Sequence, residues 1–243
     1  MADGVKAGQA PVRVLTAGMV GSGSTYLFNV AREILARDRR LRTVATYSDE
    51  WSKAFLGQHH LVLKSHWGLR ALLPVAAGGI LLPVVSLRHP GDCVCSDIER
   101  FGFDFAFALK RVALSLAFAR QLSRTQGALM FRYEDRFTDS PETAALLAER
   151  FGLKLPGSAL AEISRKYDAA QVRAYAAELE GNPDLVTSPD NPRDAWCPRT
   201  QIHRGHIGRQ SVGRWRDLSV AERARIAEAC GDDAALLGYG FDR

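Results

Sequence analysis

Residues 18–25 read GMVGSGST, directly after the apolar run VRVLTA at 12–17. Gly18, Gly23 and Thr25 keep the spacing of the phosphate-binding loop G-x-x-x-x-G-K-[ST], in which backbone N–H groups cradle a phosphate where a helix begins. Ser24 stands where that motif has lysine. The loop runs on into STYLFNVAREILA at 24–36, which places Leu27, Val30, Ile34 and Leu35 on one helical face. Strand, glycine loop and helix thus follow in order, shaped for an oxyanion but without the ammonium that grips a β/γ-phosphate pair.

The same alternation continues along the chain. After a first strand at 12–16, short apolar runs at 43–46, 61–64, 80–88 and 128–133 read as strands, separated by segments of helical period. That pattern predicts an α/β fold with a central parallel sheet flanked by helices, a three-layer sandwich. Pro83 lacks a ladder donor, so the fourth run is expected to pair fully only from Val84 onward. The region 103–125 reads as a long helix, with Phe103, Phe105 and Phe107 as core residues. Ser140 before Pro141 opens a helix, and Ser219 with Glu222 forms a capping box for another. Residues 181–200 hold four of the ten prolines, which predicts a long surface loop, either a linker or a lid over a site. The expected organisation is one domain over 1–243, with a disordered tail at 1–11.

Composition narrows the partners. With 47% hydrophobic and 24% charged residues the chain reads as an ordinary globular protein. The net charge of +5, from 32 Lys and Arg against 27 Asp and Glu, is spread rather than blocked. It suits a small polyanion or no ligand at all, and no basic face with stacking aromatics points to nucleic acid. Cys93, Cys95, Cys197 and Cys230 show no C-x-x-C spacing, which predicts reduced thiols, a cytoplasmic protein and no metal site. The first residues lack the apolar stretch of a signal peptide. The uncharged stretch 71–87 contains Pro74, Pro83 and Gly78-Gly79, so it reads as a helix end, a turn and a buried strand rather than a membrane span.

In open α/β sheets ligands bind outside the carboxyl ends of the strands. Here those ends carry the glycine loop, then Lys64, Ser65 and His66, then Arg88, then Tyr133, Glu134 and Asp135. An ATP or GTP hydrolase needs a loop lysine and a strand-end Asp for magnesium; the strand that would carry that Asp delivers Lys64 and His66. In RHPGDCVCS at 88–96, Arg88 leaves a strand, Pro90 suits a first helical turn, and Ser96 follows about two turns on. A guanidinium and a hydroxyl converging near a helix start form a second anion clamp.

The ordered set resembles the sulfotransferases that use 3′-phosphoadenosine 5′-phosphosulfate (PAPS). SGST at 22–25 is similar to the family's 5′-phosphosulfate loop [RK]-S-G-[ST]-T, and KSH at 64–66 to its K-[TS]-H strand end. Arg88, Pro90, Asp92 and Ser96 match its 3′-phosphate motif R-x-P-x-D-x-x-x-S. Tyr133, Glu134 and Asp135 match a Y-E-D, and GRQSVGRWRDLS at 208–219 resembles the basic G-x-W loop that precedes an LGYGFD-like ending. The resemblance spans about residues 12–243. It implies a P-loop-like fold, PAPS as co-substrate, no required metal, and transfer of a sulfuryl group to a hydroxyl or amine of a small-molecule or sugar acceptor. It assigns His66 and Lys64 as catalytic residues. The cofactor would be bound by Gly21, Ser22, Gly23, Ser24, Thr25, Arg88, Ser96, Tyr133 and Arg209, with Arg204 and Arg214 as rivals of Arg209.

One position departs from the pattern: Gly21 stands where the family has Lys or Arg. Either Lys64 takes over that charge, or another Arg swings in, or the chain is a nucleotide or polyanion binder with weak chemistry. A P-loop nucleotide kinase is the alternative enzyme. Trp51 either stacks on adenine or packs the second strand. His59, His203 and His206 show no metal-ligand spacing and are expected on the surface or in loops. The acceptor pocket is expected from 101–107 and 181–200.

Overall fold

The structure is a computed structural model that describes residues 10–179, 182, 185–205 and 212–241. Strands β1 (Arg13–Gly18), β2 (Thr43–Tyr47), β3 (His60–Ser65), β4 (Leu82–Leu87) and β5 (Leu129–Arg132) form a parallel sheet in the order β2-β3-β1-β4-β5. Helices α1 (Ser24–Ala36), α2 (Leu73–Ala77), α3 (Pro90–Phe101), α4 (Phe105–Ser123), α5 (Pro141–Arg150), α6 (Gly157–Lys166), α7 (Ala169–Glu178) and α8 (Val220–Leu236) surround it. The three-layer α/β architecture expected of the sequence is therefore present. Among the described residues no helix is long and apolar enough to cross a membrane.

Successive side chains of a strand point to opposite faces, and the central strands are apolar on both. Val14, Val62 and Val84 enter one buried cluster with Leu27 and Ile34 of α1 and Leu147 of α5. Their neighbours Leu15, Leu63 and Val85 enter a second cluster with Leu116 and Phe118 of α4 and Ile226 of α8. Each such fully buried Val, Leu or Phe contributes about 1.5–3 kcal/mol, so the two cores fix strand register firmly. From β1 the chain builds β2 and β3 on one side, then crosses to β4 and β5 on the other. The carboxyl ends of β3, β1 and β4 consequently open side by side, which is where a ligand crevice forms.

One expectation holds and one changes. Pairing of β4 begins at Leu82, opposite Val14, and Pro83 lies in the ladder opposite Leu15. The Ser86 carbonyl accepts from Met19 N on the β1 side, so by alternation Pro83 turns its nitrogen toward β5, where pairing starts only at Val84. β4 is thus paired on both sides from Val84 onward, as the sequence predicts. The segment 181–200 is not a plain loop: β6 (Val186–Ser188) and β7 (Asn191–Trp196) form an antiparallel hairpin. A two-stranded ribbon has an unpaired edge on each strand, so Pro192 is tolerated within β7. At its end Trp196 bridges to His203.

The capping box at Ser219 and Glu222 is formed in both directions, at 3.2 and 2.9 Å. Ser140 precedes α5 as expected, but its hydroxyl donates to the Glu142 carboxylate rather than capping a backbone N–H. All four cysteines are free thiols. Residues 1–9, most of the expected tail, lie outside the described residues.

Candidate active site

A cavity of about 600 Å³ opens at the carboxyl edge of the sheet. Gly21, Gly23, Ser24 and Thr25 of the loop border it, together with Lys64, His66, Arg88, Ser96 and Tyr133. The sequence pattern had marked all of these; the fold brings them to one place.

The loop's shape depends on two glycines. Gly23, at φ 91°, is the N-cap of α1, and a Cβ there would sit 2.9 Å from the Phe137 ring. Gly21, at φ 75°, faces Ser96, whose hydroxyl would lie 3.1 Å from an added Cβ. Because Gly23 has no side chain, α1 lacks a side-chain cap. The first-turn N–H groups and the positive end of the helix dipole are thus presented to the cavity as an anion site. Ser22 differs from expectation. Its hydroxyl is buried, donates to the Met19 carbonyl at 2.6 Å and lies 2.6 Å from the Ser86 hydroxyl, so it ties the loop to β4 rather than bordering the cavity.

Lys64 leaves β3 pointing at this loop, and its ammonium donates to Thr25 Oγ1 at 2.9 Å. Burial, and then the Arg100 charge, bring its pKa down to about 7, against the opposing pull of Asp194 and Asp49. His66 Nδ1 donates to the Gly18 carbonyl at 2.8 Å, since a carbonyl can only accept. That fixes the tautomer and leaves Nε2 as an acceptor. Burial, with the Lys64 charge second, holds His66 well below the usual imidazole range, so it is neutral at pH 7. The turn between them is pinned by Asp49, which accepts from Ser65 Oγ at 2.5 Å, Trp67 N at 3.1 Å and Tyr47 OH at 2.9 Å.

The second clamp is equally anchored. Arg88 is 4% exposed; its Nη1 donates to the Gly21 carbonyl at 2.9 Å and its guanidinium lies 4.2 Å from the Tyr133 ring centroid. The helix start beyond it is locked by three residues. His89 caps α3 through Nδ1, donates from its backbone N to Glu134, and stacks on Trp215 at 4.4 Å. Asp92 accepts from Gly213 N at 2.7 Å and Trp215 N at 3.0 Å, so this motif residue holds the C-terminal segment rather than a ligand. Glu134 also accepts from Tyr239 OH at 2.9 Å. The Y-E-D and the LGYGFD ending therefore meet around Arg88.

The far side of the cavity carries charge that sequence reasoning missed. Asp97 and Arg100 of α3, Arg111 of α4, Asp194 and Trp196 of the hairpin, and His203 all border it. Arg111 Nε pairs with Asp97 at 2.7 Å and stacks over Trp67 and Phe103, each at 4.9 Å. Burial raises the Asp97 carboxyl, an effect that Arg111 opposes. His203 Nδ1 lies 2.8 Å from Asp194, and burial lowers its pKa to about 4. His203 thus borders the cavity from the loop that follows β7, so of the two placements expected for it the loop holds and the surface does not. His59 is also buried, at 7% exposed.

Other expectations resolve as follows. Trp51 packs edge-on against Phe55 at 5.5 Å and onto the core, away from the cavity. Of the segment 101–107, Phe101 borders the cavity, whereas Phe107 is 45% exposed and stands outside it. The hairpin contributes Val186, Asp194 and Trp196 to the wall. Arg214 pairs with Glu99 at 2.6 Å and Arg204 is exposed; neither borders the cavity. Arg209 and His206 lie outside the described residues. Among the described residues no group of three or more His, Cys, Asp or Glu is arranged to hold a metal ion.

No protein-family model matches the chain, and no curated protein matches it by sequence. Solved structures do. Mouse sulfotransferase SULT7A1 complexed with PAP matches with a TM-score of 0.60 at 12% identity, over 94% of this chain and 89% of that one. Retinol dehydratase in a complex with retinol and PAP matches with a TM-score of 0.58 at 13% identity, over 93% and 82%. Retinol dehydratase with androsterone and PAP gives 0.61 at 14%, over the same shares of 93% and 82%. The chain therefore has the fold of the PAPS-dependent sulfotransferases.

Proposed function

We propose that the chain is a sulfotransferase that uses PAPS as co-substrate and transfers its sulfuryl group to a hydroxyl or amine of a small-molecule or sugar acceptor. One observation carries the reading: the uncapped start of α1, Lys64, His66, Arg88 and Ser96 all border a single cavity. Two anion clamps joined by one cavity suit a nucleotide phosphorylated at both ends. PAP-bound structures of the same fold support it. Free thiols at all four cysteines fit the cytoplasmic setting expected of the sequence.

PAPS would supply an activated sulfur whose bond to the 5′-phosphate oxygen breaks as the acceptor oxygen or nitrogen bonds to it. The first-turn N–H groups of α1 and the Lys64 ammonium bind that phosphate and offset the charge it gains. Arg88 and Ser96 hold the 3′-phosphate, with Arg88 braced over Tyr133. His66 Nε2 accepts the acceptor's proton, and the Gly18 carbonyl keeps the ring in the tautomer that can do so. The Lys64 hydrogen bond to Thr25, which brings a cation to this loop from β3, supports this reading over a kinase, whose loop carries its own.

Thermal unfolding in the presence of a chelator tests this. With PAP at about a hundredfold excess over Kd the protein gains about 2.7 kcal/mol, whereas ATP at equal concentration gives less. Stabilisation by ATP and magnesium alone would favour the kinase reading instead.

A further inference from the structure

The far wall of the cavity is made of paired charges and aromatic rings, with Arg111 as its most firmly held donor. Building on the sulfotransferase reading, we propose that Arg111 orients the acceptor by hydrogen bonds to a second oxygen beside the reacting one, so that the site takes rings bearing several hydroxyls, the sugar class, in preference to apolar alcohols.

The protein uses only one nitrogen of this guanidinium. Nε donates to Asp97 Oδ2 at 2.7 Å, and among the described residues Arg111 makes no other hydrogen bond. Its two terminal nitrogens are not buried: the side chain is 20% exposed and borders the cavity, so these donors meet whatever fills it. Trp67 and Phe103 flank the guanidinium at 4.9 Å each while the Asp97 bond fixes its rotation, which leaves little freedom to lose when an oxygen binds. Its charge acts on both His66 and Asp194, so it stands near the proposed base and near the hairpin wall.

Asp194 supplies the complementary half. Its Oδ1 lies 2.8 Å from His203 Nδ1, whereas Oδ2 makes no hydrogen bond among the described residues and is not buried, so it can accept from a hydroxyl. A wall that offers both donors and acceptors matches vicinal hydroxyls, each of which gives one hydrogen bond and accepts others. It also balances Arg100 and Arg111 against Asp97 and Asp194, which favours a neutral acceptor over an ionic one. Trp196 and Phe101 border the same space and suit the apolar face of a ring. An apolar alcohol would strip water from the Arg111 donors and return nothing, which is how a site built for hydroxyls rejects an analogue without them.

Initial rates with labelled PAPS test this on two six-membered rings that differ in their hydroxyls, myo-inositol and cyclohexanol, and on the methyl glycosides of glucose, galactose and mannose. In wild type at least one polyhydroxylated ring should exceed cyclohexanol in kcat/KM by about a hundredfold or more. Arg111→Lys keeps a cation for Asp97 but loses the fork, so that ratio should fall by about tenfold to a hundredfold, mainly through KM, with PAP affinity within about twofold. Should Arg111→Lys fail to fold, the paired replacement of Asp97→Leu with Arg111→Leu removes both charges together and should abolish the preference. Cyclohexanol turned over as well as any polyhydroxylated ring, no turnover on any of those rings, or a ratio unmoved by the substitutions overturns the proposal, while PAP binding by the same protein preserves the sulfotransferase reading. A wild-type protein that does not bind PAP overturns both.

Discussion

The ammonium of Lys64, at the end of β3, donates to the hydroxyl of Thr25 in the first turn of α1 at 2.9 Å. Strand and helix are far apart in sequence, yet this bond brings a buried cation to the one place where α1 offers uncapped N–H groups. The anion preference proposed for the cavity and the pH response expected of it both follow from this bond.

Lys64 sits at about 7 in the free protein. A bound phosphate favours its charged form, so the complex holds a proton that the free protein lacks above pH 7. PAP affinity should therefore fall as pH rises past 7, approaching about tenfold per pH unit, with uptake of one proton on binding. Calorimetry in buffers of different ionisation heat measures that proton; an affinity independent of pH between 7 and 9 would contradict the assignment.

His66→Ala should lower turnover by about 10²–10⁴ while PAP affinity stays within about twofold. Because burial keeps His66 neutral, wild-type turnover should show no acid limb near pH 6.5. An inflection there that disappears in His66→Ala would mean that the imidazole titrates normally.

Arg88→Ala removes the guanidinium that spans Gly21 and Tyr133. Affinity for PAP should drop by about tenfold to a hundredfold, as for a lost charge-assisted pair, whereas adenosine 5′-monophosphate should be little affected. Competition binding with the two nucleotides reads the difference. Equal losses would place Arg88 away from the 3′-phosphate.

Asp92→Ala leaves two backbone N–H groups, of Gly213 and Trp215, without their acceptor. The expected cost is about 1–3 kcal/mol in urea unfolding, with weaker PAP binding as the segment beside Arg88 loosens. Unchanged stability would show that Trp215 stacking on His89 suffices to hold it.

The parallel sheet, the loop, Lys64, His66 and Arg88 were legible because strand periodicity and strand ends are local signals. The charged far wall was not. Asp97 and Arg111 belong to different helices, and their pairing exists only once α3 packs on α4. Asp194 and His203 come together only because the 186–196 ribbon folds back, and the prolines in and around it masked the pairing. Ser22 shows the opposite failure: motif spacing implied a ligand contact, while burial against Ser86 assigns its hydroxyl to the scaffold. Spacing identifies which residues gather, and packing decides which way each side chain turns.

The most direct measurement is a crystal structure of the protein soaked with PAP in the presence of a chelator. The nucleotide should lie across the cavity with its 5′-phosphate at the backbone N–H groups of Gly23, Ser24 and Thr25 and its 3′-phosphate at Arg88 and Ser96. PAP bound elsewhere, or reversed between the two clamps, would contradict the account.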